Sequence, residues 1–107
     1  MQQAHSKQRE TVRHETFWRT FLVVQRRIVK NAGYGEVLAC MHAYGITSGL
    51  IDNNLSLDNI KTISDSRFRE AMATQPEYQN SPPGWEEHML RALRLDNADP
   101  HLPVLEV

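Results

Sequence analysis

The longest regular pattern of apolar positions in this chain runs from residue 11 to residue 31. Side chains that recur every three or four positions share one side of a helix. Two adjacent rows with that spacing are Phe17, Phe21, Val24 and Ile28, and Trp18, Leu22, Gln25 and Val29. A third row, on the opposite side, sets one apolar residue among cations and consists of Arg19, Val23, Arg26 and Lys30. The pattern predicts a long first helix that packs on its own domain with one side and contacts another chain with the other.

Glycines and short apolar periods predict where the next elements begin and end. The first helix should end within residues 32–35, where Gly33 and Gly35 favour the left-handed conformation that closes a helix. We expect a second helix over residues 36–44, then a turn at Gly45 and a third segment from residue 47 or 48 to residue 54. The second helix would place these side chains inward: Val37, Leu38, Met41 and, as a further candidate, Cys40.

Capping residues divide the second half of the chain. Ser56 is placed to cap a short helix that reaches residue 63, and Ser64 or Asp65 to cap the next, which Pro76 ends. A last helix is predicted over residues 82–95. The positions expected to face the core are Leu57, Ile60, Ile63, Phe68, Ala71 and Met72, followed by Trp85, His88, Met89, Ala92 and Leu93. No alternation typical of a strand is present, so the predicted fold class is all-α, a compact bundle of four to six helices with a long first helix.

The length of 107 residues suits one hydrophobic core. We therefore expect a loose leader at residues 1–7, one helical domain at 8–95 and an extended tail at 96–107, where Pro100 and Pro103 exclude a helix. No apolar run reaches the roughly 20 residues of a membrane-spanning helix. The first residues lack the apolar region of a secretory signal, and Cys40 is the single cysteine, so we expect a cytoplasmic protein with no membrane association.

The net charge of −1 hides an asymmetry along the chain. Residues 1–31 hold seven Lys and Arg against two Glu, a net +5, and the remaining residues carry a net −6. Regions of opposite sign attract each other within a fold or between two copies of it, which favours self-association or a protein partner. Nucleic acid is a poor candidate, because the aromatic residues and the cations of the first helix lie on opposite sides and the pI is near 6.5.

Residues 37–55 also fit a helix-turn-helix motif with Gly45 in its turn. The residues through which such a motif would contact DNA are Thr47, Ser48, Asn53 and Asn54. Its second helix carries Asp52 and has no Lys or Arg for the phosphates, which argues against DNA. A DNA-binding transcriptional regulator is therefore kept as the alternative, beside the simpler interpretation of two packed helices joined by a turn.

The sequence contains no pattern typical of a catalytic, cofactor or metal site. Cys40 and His42 are two residues apart, so on a helix they point in different directions and do not close on one metal ion. Gly33 and Gly35 lack the third glycine and the preceding strand of a dinucleotide-binding loop. We therefore expect a protein that is not an enzyme and that uses no cofactor and no metal.

In size, expected location and helical layout, the chain resembles small all-helical bacterial anti-activators, such as the quorum-sensing proteins that bind LuxR-type receptors. The resemblance lies in the overall outline and transfers no individual binding residue. It implies a regulator that binds a transcription factor and blocks its dimerisation or its contact with DNA.

The residues themselves predict a protein interface along one edge of the first helix, in a complex with the target or in a homodimer that uses the same patch twice. That edge consists of Leu22, Val23, Arg26, Val29 and Lys30. The competing interpretation is a monomer in which later helices cover both sides of the first helix.

Overall fold

The computed structural model describes the backbone of residues 2–95 and the side chains of residues 14–95. This part of the chain is all-α, as its sequence predicts, with four α-helices and no β-strand. The helices are α1 (Gln2–Arg27), α2 (Glu36–Asp52), α3 (Asp65–Ala73) and α4 (Trp85–Arg94). A π-helical turn at Ile28–Ala32 and two 3₁₀ turns, at Leu57–Asn59 and Pro76–Tyr78, lie between them. The tail predicted at residues 96–107 lies outside the described residues.

α1 begins earlier than the apolar pattern predicts. It starts at Gln2, so most of the leader predicted at residues 1–7 belongs to the helix, because that stretch contains good helix formers and neither glycine nor proline. The helix widens into the π-helical turn and ends where Gly33 adopts a left-handed conformation with φ +75°. The predicted end of the first helix is confirmed. Within residues 2–95, no helix combines the length and the apolar character that crossing a membrane requires.

α2 is one continuous helix, so the turn predicted at Gly45 is wrong. Gly45 and Gly49 are both buried in its interior. A Cβ at Gly45 would lie 2.7 Å from Cε2 of Tyr78, and a Cβ at Gly49 would lie 2.6 Å from Cε of Met72. The two glycines therefore allow later segments of the chain to pack closely on α2, and they do not reverse its direction.

The two serine caps of the second half are confirmed, but the short helix predicted to reach residue 63 is only the 3₁₀ turn at Leu57–Asn59. Ser56 Oγ accepts a hydrogen bond from a backbone N–H of the following 3₁₀ turn, and Ser64 Oγ accepts one from the first turn of α3. α4 begins at Trp85, after Gly84 in a left-handed conformation, and not at the predicted residue 82. Its core side includes Leu90, while His88 is exposed and not inward as predicted, because a buried imidazole needs hydrogen-bond partners and a leucine does not.

All four helices contribute to one core. Its most deeply buried side chains include Val24, Ile28, Ala39, Ala43, Ile46, Leu50, Ile60, Phe68, Met72, Met89 and Leu93. Phe21 packs against this core from a partly buried position. Three residues of the first apolar row of α1, Phe21, Val24 and Ile28, therefore face the core as the sequence predicts, whereas Phe17 lies outside this core and contacts Tyr44.

The end of α4 is held against α1 by side chains that bond its last carbonyls. Nη1 of Arg27 donates a hydrogen bond to the Leu93 carbonyl at 2.9 Å, and Nδ2 of Asn31 donates one to the Ala92 carbonyl at 2.9 Å. A cation at the C-terminus of a helix also opposes the negative end of the helix dipole. These bonds place α4 on one side of α1, while α2 lies along another.

Candidate protein-binding surface

The outer side of α2 is apolar and exposed. Between Glu36 and Asp52 this helix carries no Asp, Glu, Lys or Arg. A helix that is apolar on every side is normally buried on every side. In α2 the outer side is exposed, at 77 % for Val37, 46 % for Leu38, 64 % for Met41 and 51 % for Tyr44. Clustered apolar exposure of this kind marks a binding surface.

The inward orientation predicted for three α2 residues, Val37, Leu38 and Met41, is wrong. The side chains that α2 buries in the core are Ala39, Ala43, Ile46 and Leu50. They recur at helical spacing through both halves of the continuous helix. The sequence pattern predicts a turn at Gly45, which separates Ile46 and Leu50 from the first half of α2. The inward side of that half cannot then be inferred from these two residues.

Aromatic rings extend the apolar side of α2 onto α1. Phe17 contacts Tyr44 edge to face, with 5.3 Å between ring centroids, and Trp18 makes similar contacts with Phe17 and Phe21. Trp18 is 43 % exposed. Its Nε1 donates a hydrogen bond to Nε2 of His14 at 2.9 Å, which orients the indole. An ordered aromatic side chain that remains accessible is typical of the residues that dominate binding energy at interfaces.

The exposed parts of α1 and α2 form one surface. The two helices run side by side in opposite directions, with the rings around Phe17 in contact at one point and Nε2 of Gln25 donating to Sγ of Cys40 at 3.3 Å at another. Leu22 lies between these contacts on α1, and Met41 lies between them on α2. We define the α1–α2 surface by its exposed apolar side chains, which are Trp18, Leu22, Val37, Met41 and Tyr44.

Two depressions flank this surface. A groove of about 410 Å³ lies between α1 and the second half of α2, and its lining consists of His14, Phe17, Trp18, Tyr44, Ser48, Ile51 and Asp52. Another, of about 340 Å³, lies on the other side of α2, between Met41 and the segment that contains Tyr78 and Pro82. Depressions of this kind accept side chains of a partner. Such interdigitation is required for close packing at an interface.

The interface edge predicted on α1 does not form a single surface. Leu22 belongs to the α1–α2 surface. Val23 lies about 100° further around the helix and lines a depression beside the loop that follows α2. Val29 packs against the core from a partly buried position, Arg26 is half-buried and Lys30 is exposed. The structure therefore brings Leu22 together with the exposed apolar side of α2 and places Arg26 beside it, while Val23, Val29 and Lys30 lie elsewhere.

The helix-turn-helix motif of the alternative hypothesis is absent, because α2 continues through its supposed turn. Thr47 is fully buried, and Nδ2 of Asn53 donates a hydrogen bond to a carbonyl one helical turn earlier at 2.7 Å. Ser48 lines the larger groove, and Asn54 follows the helix with φ +56°. The DNA-binding alternative therefore loses the motif on which it depended.

His42 lies among aromatic rings on the inner flank of α2. The ring centroids of Tyr34, Tyr78 and Trp85 lie 5.3 to 6.2 Å from that of His42. Burial lowers the pKa of His42, and its Nδ1 is buried without a hydrogen-bond partner among residues 14–95. The hydroxyl of Tyr78 donates to the His42 carbonyl at 2.7 Å, and burial raises the pKa of that hydroxyl. This cluster joins α2 to the segment before α4.

Within the described side chains, no three His, Cys, Asp or Glu converge as ligands for a metal ion. Cys40 is half-buried and accepts the hydrogen bond from Gln25.

The α2 part of the surface was not predicted from the sequence, although the uncharged stretch of α2 indicates it. Residues 37–51 contain no Asp, Glu, Lys or Arg, which is more apolar surface than one buried side of a helix needs. Dividing this stretch at Gly45 concealed its length.

Comparison of this chain with models of protein families, with curated protein sequences and with solved structures found no match.

Proposed function

We propose that this chain is a regulatory protein that binds another protein through the α1–α2 surface. We further propose that its target is a transcription factor, whose dimerisation or DNA binding it blocks. The observation that carries the proposal is the exposed apolar side of α2, since keeping Val37, Met41 and Tyr44 in water costs free energy that association recovers. The nature of the target is supported by the resemblance in size and layout to small anti-activators.

The composition of the surface supports this role. Aromatic residues and methionine are enriched at the centres of protein interfaces, while Lys, Glu and Asp are depleted there. Trp18 and Tyr44 provide large apolar contacts with few rotatable bonds, and Met41 adapts its shape to the partner. A surface of this kind suits an apolar helix of a partner.

Competition explains how such binding would block a transcription factor. A target that dimerises through an apolar helix presents the same kind of face to the α1–α2 surface. The two associations then exclude each other, and binding of this chain lowers the concentration of target dimer by mass action. The homodimer predicted from the sequence stays a prediction.

The test combines capture with release from DNA. Tagged wild-type protein and the Met41→Glu variant are each expressed in the cells from which the chain comes and are isolated by the tag. The proteins that remain bound to each are then compared. Because Met41 is exposed, the substitution leaves the fold intact, as circular dichroism will show, but it places a charge at the centre of the interface. We expect a transcription factor to be retained by the wild type and lost from Met41→Glu. Purified wild-type protein should then release that factor from its operator in a gel-shift assay.

The matched control is Ala73→Glu, which adds the same charge at an exposed position at the end of α3. It should retain the target as the wild type does. Identical retention by the wild type and Met41→Glu would overturn the proposed surface. A retained factor that stays on its operator would overturn the proposed regulatory action.

A further inference from the structure

The α1–α2 surface has cations along one border. Arg19 and Arg26 lie on the outer side of α1, one turn before and one turn after Leu22. Neither forms an ion pair within residues 14–95, where the arginine ion pairs are those of Arg67, Arg69 and Arg94. No acid of this part of the chain neutralises the two charges, so both can attract acidic groups of a partner that covers Leu22.

Most of the acids near this surface lie at its ends. Glu15 and Asp52 are at the end near the larger groove, and Glu36 begins α2. Between Glu36 and Asp52, α2 itself has no Asp, Glu, Lys or Arg, and Glu77 lines the smaller depression on its far side. In the middle of the surface, the α2 side is apolar and Leu22 continues the apolar part on α1. Arg19 and Arg26 form a cationic border beyond Leu22.

We propose that the α1–α2 surface receives one amphipathic helix of the target protein, with an apolar stripe and an acidic edge. The stripe packs on Trp18, Met41 and Tyr44, and the acidic edge faces Arg19 and Arg26. This inference rests on the proposed function, because it specifies the partner of the same surface. Two adjacent helices create the groove in which a third helix packs, and an amphipathic helix binds such a groove through residues spaced by three and four.

The length of the surface agrees with one helix. Together, the surface and the larger groove run along α2 from Val37 to Asp52, which is about 23 Å of helix at 1.5 Å per residue. A partner helix of about 16 residues covers that distance. This is long enough for its apolar stripe to make four contacts, at positions i, i+4, i+7 and i+11.

A second copy of this chain is the competing occupant. In a two-fold pair the same surface is used twice. Where equivalent parts of α1 face each other in such a pair, Arg19 and Arg26 of one copy meet the same cations of the other copy, which repel them. A target helix with an acidic edge supplies the opposite charge instead.

The test uses two designed helical peptides of about 16 residues that share one leucine stripe. One peptide carries glutamate along the edge of the stripe and the other carries lysine. Each is labelled with a fluorophore, and its binding to the full chain is measured by anisotropy. At low salt we expect the glutamate peptide to bind about fivefold more tightly, and the ratio should shrink near about 1 M salt, where exposed charges are screened.

Variants separate the charge from the apolar contact. The double change Arg19→Glu with Arg26→Glu should reverse the preference between the peptides, while Met41→Gln, which adds no charge, should weaken both about equally. Arg91→Glu is the control, since it reverses a charge at an exposed position on α4, and it should leave the preference unchanged. Sedimentation of the wild type and Met41→Glu measures whether a second copy occupies the surface.

Several outcomes would overturn the inference: equal binding of the two peptides, no binding of either, a preference that survives the double change, or a dimer that Met41→Glu dissociates. If the wild-type protein still captures the target and Met41→Glu does not, such a result overturns only the proposal of an acidic helix. If capture is also insensitive to Met41→Glu, the proposed function fails with it.

Discussion

Gly45 in the middle of α2 lies directly against the ring of Tyr78, so closely that a Cβ at this glycine would approach Cε2 of the ring to 2.7 Å. The ring is held from two other directions. It stacks on Trp85 with 3.9 Å between centroids, and its hydroxyl donates to the carbonyl of His42. Gly45 therefore sets how closely the segment before α4 approaches α2.

The first prediction concerns this contact. Gly45→Ala should destabilise the protein by about 1 to 3 kcal/mol, because the constrained ring of Tyr78 must move and the gain in helix propensity offsets only part of that cost. Urea unfolding followed by circular dichroism measures the change. Gly35→Ala, where a Cβ would meet nothing within 4 Å, should stay within about 0.5 kcal/mol of the wild type. Equal stability of Gly45→Ala and the wild type would show that the ring is free to move away.

A second prediction tests which side of α2 faces the core. Ala43→Asp should unfold the protein or cost more than about 3 kcal/mol, because Ala43 is fully buried and a carboxylate there has no water. Met41→Asp, two residues away and 64 % exposed, should change stability by less than about 1 kcal/mol. Chemical unfolding of the pair decides the point. The reverse order of stabilities would restore the inward side that the sequence pattern predicted.

A third prediction concerns the attachment of α4 to α1. Arg27→Ala removes the donor to the Leu93 carbonyl and the packing of the arginine stem, and should cost about 1 to 3 kcal/mol. Arg19→Ala, at an exposed position on the same helix, should cost less than about 0.5 kcal/mol. Thermal unfolding of both variants compares them, and an equal effect would mean that the hydrogen bond to α4 contributes nothing measurable.

The fourth prediction concerns pH. The pKa of His42 is lowered in the folded protein from its ordinary value of 6.5, so below that pH the unfolded chain binds a proton that the folded chain does not. The contribution of neutral His42 to the free energy of unfolding should therefore be complete above pH 6.5, and the free energy of unfolding should fall as the pH decreases through that value. His42→Phe should reduce this fall, whereas His88→Gln, at an exposed position, should retain it. Urea midpoints measured at several pH values test the slope, and parallel profiles for all three proteins would rule out His42 as the cause.

Local features of the sequence predict much of this fold. The left-handed end of α1 at Gly33, the caps at Ser56 and Ser64 and the inward row of Phe21, Val24 and Ile28 are all confirmed. Each of these depends on residues within one or two helical turns, so the information that determines it lies in the same stretch of sequence.

The candidate surface was predicted only in part. The sequence indicates surplus apolar residues on α1 and correctly places Leu22 among the exposed ones, but it assigns Val37 and Met41 to the core. Their exposure depends on the register of α2, which follows from burying Ala43 together with Leu50. That register can be read only if the helix is known to continue through Gly45.

The sequence by itself determines that this chain is helical, that Ser56 and Ser64 cap the elements that follow them and which side of α1 is apolar, since spacing, propensity and capping act over a few residues. Tertiary structure alone decides that Gly45 is a packing contact and not a turn, because Tyr78, which requires the absence of a Cβ there, lies far along the chain. The same long-range packing turns Val37, Met41 and Tyr44 outward and sets them beside Trp18 and Leu22. The α1–α2 surface exists because helices that are distant in sequence share one core, and their remaining apolar sides are left adjacent.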